Sequence, residues 1–138
     1  MDRISSEARS ATMRAIRSKG MKPEMAVRRL VHAMGYRYRL HRHDMPGRPD
    51  LVFPSRNKVI FVHGCFWHQH DDPNCKIAHT PKSNQSYWLP KLKRNKTRDK
   101  QHQIKLREMG WDVLVIWECE LKTNGDSLNS KIRGFLGN

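Results

Sequence analysis

GRPDLVFPSRNKVIFVHGCFWHQH, residues 47–70, is the stretch that decides the fold. DLVF, 50–53, reads as a short strand opened by an acid. SRN turns the chain, and KVIFV, 58–62, follows without a polar break. An unbroken apolar run of that length marks a central strand covered on both faces. His63 closes the run. HGCFWHQH then packs three histidines, a cysteine, a phenylalanine and a tryptophan into eight residues. A plain connecting loop is richer in Ser, Asn, Asp and Pro. These residue types bind metals, move protons or stack on flat rings.

Working outward, Pro23 followed by EMAVRRLVHAMG reads as a helix. Pro sits in the first turn, Glu24 faces the positive end of the dipole, and Gly35 stops the helix. YRYRL, 36–40, alternates strictly and predicts a strand with one wet face. Residues 64–86 are long for a structureless loop in a small domain, which points to function or a cross-link. Residues 87–109 carry a helix pattern dense in Lys and Arg, ended by Gly110. DVLVIW, 112–117, is a second central strand, and 127–136 is a closing helix. The order predicts a small α/β sandwich on a mixed sheet. Residues 21–138 form one domain, and 1–20 a basic arm, with Met13 and Ile16 at helical spacing, that is either disordered or orders on DNA.

The 138 residues carry 27 Lys and Arg against 13 Asp and Glu, a net charge of +14. Such a field favours an anionic partner, with nucleic acid the usual one. An anionic membrane surface fits less well, because the basic residues are spread along the chain and no apolar run spans a bilayer. The opening MDRISSEARS lacks an apolar signal segment, so a cytoplasmic protein is expected. Three cysteines in a reducing compartment argue against a disulfide framework and leave room for a metal.

Those cysteines form part of a constellation. Cys65, His70 and Cys75 are spaced C-x4-H-x4-C, and Cys119 lies two residues past the strand ending at Trp117. Three Cys with one His make a common closed zinc set with a structural role. Ordinary half-buried thiols are the plainer alternative. His68 and His79 are substitutes for His70, and Asp71 and Asp72 are competing ligands, though thiolate is the softer partner.

Acids are scarce, so their positions count. Asp50 with Glu24 from a neighbouring helix makes a plausible magnesium site for phosphodiester hydrolysis, and His63 or His68 could take a proton from water. Taken singly, Asp50 also suits a turn and Glu24 a helix start. Asp99 could fix a histidine tautomer or pair with Lys96 along its own helix. Phe66 and Trp67, adjacent aromatics in a basic protein, suit insertion between base pairs. Trp88 could join them or pack in the core, whereas Trp111 and Trp117 read as packing.

GRPDLVF, VIFVHGCFWHQH, YWLPKLKRNKTRDKQ and GWDVLVIWECEL, together with MRAIRSKGMKPE, resemble the very short patch repair endonucleases of bacteria. The resemblance covers roughly residues 8–122. It implies a restriction-endonuclease-like α/β core, a mixed central sheet flanked by helices, with a structural zinc site on Cys65, His70, Cys75 and Cys119. It implies Mg²⁺ on Asp50, with His68 as general base and Glu24, His63 and Asp99 in support. The wider nuclease superfamily carries D/E-x-K on the second strand. Here that strand reads FVHG, with Val62 and Gly64 at those places, which is consistent with a histidine-based variant in which the Val62 backbone carbonyl would be the second magnesium ligand. Phe66, Trp67 and Trp88 would intercalate at the mismatch. The partner implied is double-stranded DNA with a T·G mismatch, nicked on the thymine strand, and the enzyme would be a monomer. A zinc-stapled DNA-binding module without catalysis, and a same-fold nuclease of different specificity, are the rival readings.

Overall fold

A computed structural model describes residues 22–40, 42–122 and 125–138. The arm expected over residues 1–20 lies outside them. The first helix, α1 (Pro23–Ala33), starts at proline, places Glu24 in its first turn and His32 in its last. Gly35, at φ +99°, turns the chain out of it. Ala26, Val27, Leu30 and Val31 form its buried face.

Strand β1 (Leu51–Phe53) and strand β2 (Lys58–His63) are antiparallel, with Leu51 opposite Ile60. A 3-10 turn, Pro54–Arg56, joins them, and Asn57 takes a left-handed φ of 53°. Helix α2 (Gln85–Glu108) crosses back and delivers strand β3 (Asp112–Trp117) parallel to β2. A 3-10 turn, Glu118–Lys122, and helix α3 (Gly125–Leu136) finish the chain. Among the described residues the sheet is three-stranded and mixed, in the order β1-β2-β3.

The central position of β2 explains its unbroken apolar sequence. Ile60 shares a core with Leu30 of α1, Ile116 of β3 and Ile132 of α3. Val59 and Phe61 face the other way, onto Met45 and Leu106 of the α2 side. Two cores therefore lie on opposite faces of one sheet, as the period of two along a strand requires.

Two expectations are corrected. DVLVIW, expected as a second central strand, is β3, which stands at the edge of the sheet among the described residues and is mostly half-buried. YRYRL does not form a strand; its sheet pairing is a single bridge, Arg39 to Val52. The alternation has a different cause: Tyr36 is buried against the C-terminus, where Arg133 Nη1 donates to its hydroxyl at 2.9 Å. Tyr38 meets Phe53 edge-on and donates to the Arg28 carbonyl at 3.2 Å. No described helix is long and apolar enough to cross a membrane.

Candidate active site and metal centre

The topology gathers one end of the sheet. β1 runs against β2, so Asp50, just before β1, lies beside the last residues of β2. The backbone N–H of Val62 donates to Asp50 Oδ2 at 2.6 Å. Burial, with the nearby Glu24 carboxylate in support, pushes the Asp50 carboxyl up to about 6 against the pull of the Val62 N–H. A carboxylate destabilised in this way gains from a cation. Glu24 stands back from the recess and is ion-paired to Arg28 Nη2 at 2.6 Å.

His63 ends β2 and is 5% exposed, a buried histidine. Burial lowers its pKa to about 4, so the ring is neutral at pH 7. It lies flat on the His68 ring, centroids 3.9 Å apart at 7°. His68 Nδ1 is 2.5 Å from Asp99 Oδ2 on α2. A carboxylate only accepts, so Nδ1 carries a proton, and in the neutral ring the lone pair is left on Nε2. Asp50, His63, His68 and Asp99 line one recess of about 180 Å³. Asp99 thus bonds a histidine, and Lys96 pairs with Asp71 instead.

HGCFWHQH achieves this by coiling tightly. His68 N–H returns to the Gly64 carbonyl at 3.1 Å and His70 N–H to the Cys65 carbonyl at 3.0 Å. Gln69 takes a left-handed φ of 47°. Successive side chains therefore leave in different directions. His68 turns to the recess, Cys65 and His70 to the cysteine cluster, and Phe66 and Trp67 to the aromatic cluster.

Cys65, His70, Cys75 and Cys119 present ligand atoms all within 4.8 Å of one another. His70 Nδ1 lies 3.8 Å from Cys65 Sγ and 3.4 Å from Cys119 Sγ. Donors on one tetrahedral zinc, with bonds of roughly 2.0–2.3 Å, stand about 3.5 Å apart. Burial pushes the Cys65 thiol up to about 12, so a soft cation is what would ionise it. The residues present fit the ion. Cys119 reaches the group because β3 neighbours β2. His79 is elsewhere, bonded to the Ile77 carbonyl and tilted on Phe66.

Phe66, Trp67 and Trp88 form one cluster, with centroids 5.5–5.6 Å apart. Trp88 belongs here and not in either core. Trp67 is 47% exposed, with Lys91 Nζ 5.5 Å from its ring centroid. Sequence reasoning missed Tyr87, which meets Trp88 edge-on at 5.0 Å and accepts from Lys91 Nζ at 3.2 Å. It also missed Arg48 and His102 on the recess wall. The signal was Gly47: at φ +74°, a Cβ there would come within 2.9 Å of His102 Cβ.

A family model described as DNA mismatch endonuclease Vsr matches residues 1–74. The chain belongs to the Vsr family. It is 50% identical over 135 residues to the type II nicking enzyme V.XorIIP of Xanthomonas oryzae pv. oryzae, covering 98% of this chain and 96% of that protein. It is 39% identical over 114 residues to the DNA mismatch endonuclease Vsr of Escherichia coli, covering 83% of this chain and 71% of that protein. The type II nicking enzyme V.NmeAIP of Neisseria meningitidis is 39% identical over 135 residues, 96% of this chain and 94% of that protein. As a Vsr-family member this protein is a DNA endonuclease. The bare DNA-binding module is thereby set aside.

Proposed function

We propose that this Vsr-family endonuclease is magnesium-dependent and nicks one strand of duplex DNA 5′ of the thymine in a T·G mismatch. That is the first step of very short patch repair of deaminated 5-methylcytosine. The observation that carries the reading is the shared recess, where Asp50 is anchored by the Val62 N–H and His68 by Asp99.

In this reading Asp50 and the Val62 carbonyl would hold Mg²⁺, which would supply positive charge for phosphodiester hydrolysis. His68 Nε2 takes the proton from the attacking water, and Asp99 stabilises the imidazolium that forms. The P–O bond to the 3′ oxygen breaks, leaving a 5′-phosphate. His63, neutral and stacked, fixes the plane of His68. Glu24 contributes its charge from behind Asp50. Cys65, His70, Cys75 and Cys119 would hold zinc, which would staple the loop that carries His68.

Phe66, Trp67 and Trp88 enter the duplex at the mismatch, where weak stacking lowers the cost of opening. The Lys and Arg of α2, with those of residues 1–20, neutralise phosphates and supply most of the affinity. The sheet core is of the restriction-endonuclease type. A lone mismatch has no two-fold axis, so the enzyme acts as a monomer, in the bacterial cytoplasm at the nucleoid. A second reading keeps the chemistry and changes the specificity. It draws on the name of the half-identical relative, a type II nicking enzyme.

End-labelled duplexes holding one T·G pair, beside matched T·A controls, test the proposal. Magnesium-dependent cutting of the thymine strand alone is expected. Equal cutting of matched DNA would favour the second reading.

A further inference from the structure

Trp117 reads from sequence as core packing, yet it stands between the two sites. Its indole stacks on His70, centroids 4.2 Å apart at 12°. It meets His63 edge-on at 5.2 Å and 79°. His63 lies flat on His68, and His68 bonds Asp99. A continuous file of rings therefore runs from the cysteine cluster to the acid of the recess. Trp117 is only half-buried, and with His63, His68 and Asp99 it lines an adjoining recess of about 300 Å³. A side chain there is not filling a core.

Its backbone is pinned as well. Trp117 pairs with His63 in the β2–β3 register. Its N–H donates to Glu120 Oε1 at 2.9 Å, and Lys131 Nζ holds that same carboxylate. The loop bearing His68 is held by short turn bonds, by Cys65 and His70, by Asn95 Nδ2, which donates to the Trp67 carbonyl at 3.3 Å, and by the bond from His68 to Asp99. A stacked pair such as His63 and His68 has no hydrogen bond between its rings. Asp99 holds one edge of His68, and the ring that meets His63 from the other side, Trp117, bounds the pair there.

We propose that Trp117 is a positioning residue for the nicking reaction, a flat spacer between His70 and His63 that transmits the fixed place of the Cys/His cluster to the base His68. The proposal rests on the reading of the Asp50–His68 recess as the catalytic centre. An aliphatic side chain could fill the volume, but it could not give one ring face to His70 and one edge to His63.

The test uses the full chain with Trp117→Leu and Trp117→Phe, and Asp50→Asn as a control. Four quantities are read: zinc per chain, mismatch-duplex Kd, single-turnover nicking rate, and the ring-proton resonances of His63 and His68. Trp117→Leu is expected to keep its zinc and its Kd. Its rate should fall roughly 10- to 100-fold, the scale of a catalytic group misplaced by about an ångström. The His63 and His68 resonances should move together. Trp117→Phe, still flat but smaller, should lie between Trp117→Leu and wild type in rate. If Trp117→Leu fails to fold, Trp117→Phe decides alone, with a reduced rate at unchanged zinc expected. A leucine variant that folds and nicks within about threefold of wild type overturns the proposal. So does a loss of rate in step with lost zinc, or a phenylalanine variant at full rate with displaced His63 resonances. Wild-type nicking by Asp50→Asn would instead bring down the catalytic-centre reading, and the proposal with it.

Discussion

Asp99→Asn changes one charge and almost no volume. In the wild type, Asp99 Oδ2 sits 2.5 Å from His68 Nδ1 and can only accept. The amide can present an NH₂ group to the same nitrogen. The tautomer with the proton on Nε2 then becomes accessible, and it cannot take a proton from water. The imidazolium that forms in the reaction also loses its charged partner. A charge-assisted hydrogen bond contributes about 1.5–3 kcal/mol, which alone is roughly 10- to 100-fold in rate. The analogous Asp→Asn change in a serine-protease triad costs about 10⁴-fold, which sets an upper bound. His63 cannot compensate, since burial keeps it neutral. The expected loss is therefore about 10²- to 10⁴-fold in single-turnover nicking. Kd for the duplex should hold or tighten slightly, because a negative charge has gone. A variant that nicks within about threefold of wild type would refute the role of Asp99 and the tautomer argument with it.

The remaining predictions concern stability, the cysteine cluster and DNA binding. Asp50 has a folded pKa raised to about 6 from 3.8, so its stabilising share is complete below 3.8 and lost as pH rises through 6. Metal-free Asp50→Asn should accordingly be more stable than wild type by roughly 2–3 kcal/mol at pH 7.5, with the gap closing toward pH 4; a pH-independent gap in thermal melts would count against the burial argument. His63 runs the other way, its contribution present above 6.5 and lost as pH falls toward 4, so His63→Phe should flatten the acid limb of the stability curve. Cys119→Ser should lower zinc content and reduce Tm by about 10 °C or more, with proteolysis beginning in residues 64–84; full metal occupancy with an unchanged melt would remove the staple. Trp67→Ala should weaken T·G binding about 10- to 100-fold and matched binding much less. The salt slope of log K should be near −5 if roughly six phosphates are neutralised, and a flat salt response would contradict the electrostatic account.

Much of this was legible where a local pattern has one physical solution. An unbroken apolar run such as KVIFV belongs between two layers, and β2 has a core on each side. Three cysteines and a histidine at loop ends close into one group because β2 and β3 are neighbours. YRYRL misled because alternation records which side chains are buried, and a tyrosine locked to the C-terminus produces the same pattern as a strand. Asp99 was ambiguous because its own helix offered Lys96 as a partner, and only the tertiary approach of the 64–70 turn decides for His68. Trp117, Arg48 and His102 were missed for the same reason. Each reaches its site only through the tertiary fold: Trp117 meets His70 and His63 across strands, and Arg48 and His102 share one recess wall.

The central claim is that the recess at the end of β2 is where the DNA is cut. Its most direct test is a paired measurement on Asp50→Asn with magnesium and a T·G duplex: nicking rate and duplex Kd on the same preparation. The account predicts that the folded variant binds the duplex at least as well as wild type and does not nick it. Nicking by Asp50→Asn at the wild-type rate would place the chemistry elsewhere in the molecule and contradict the account.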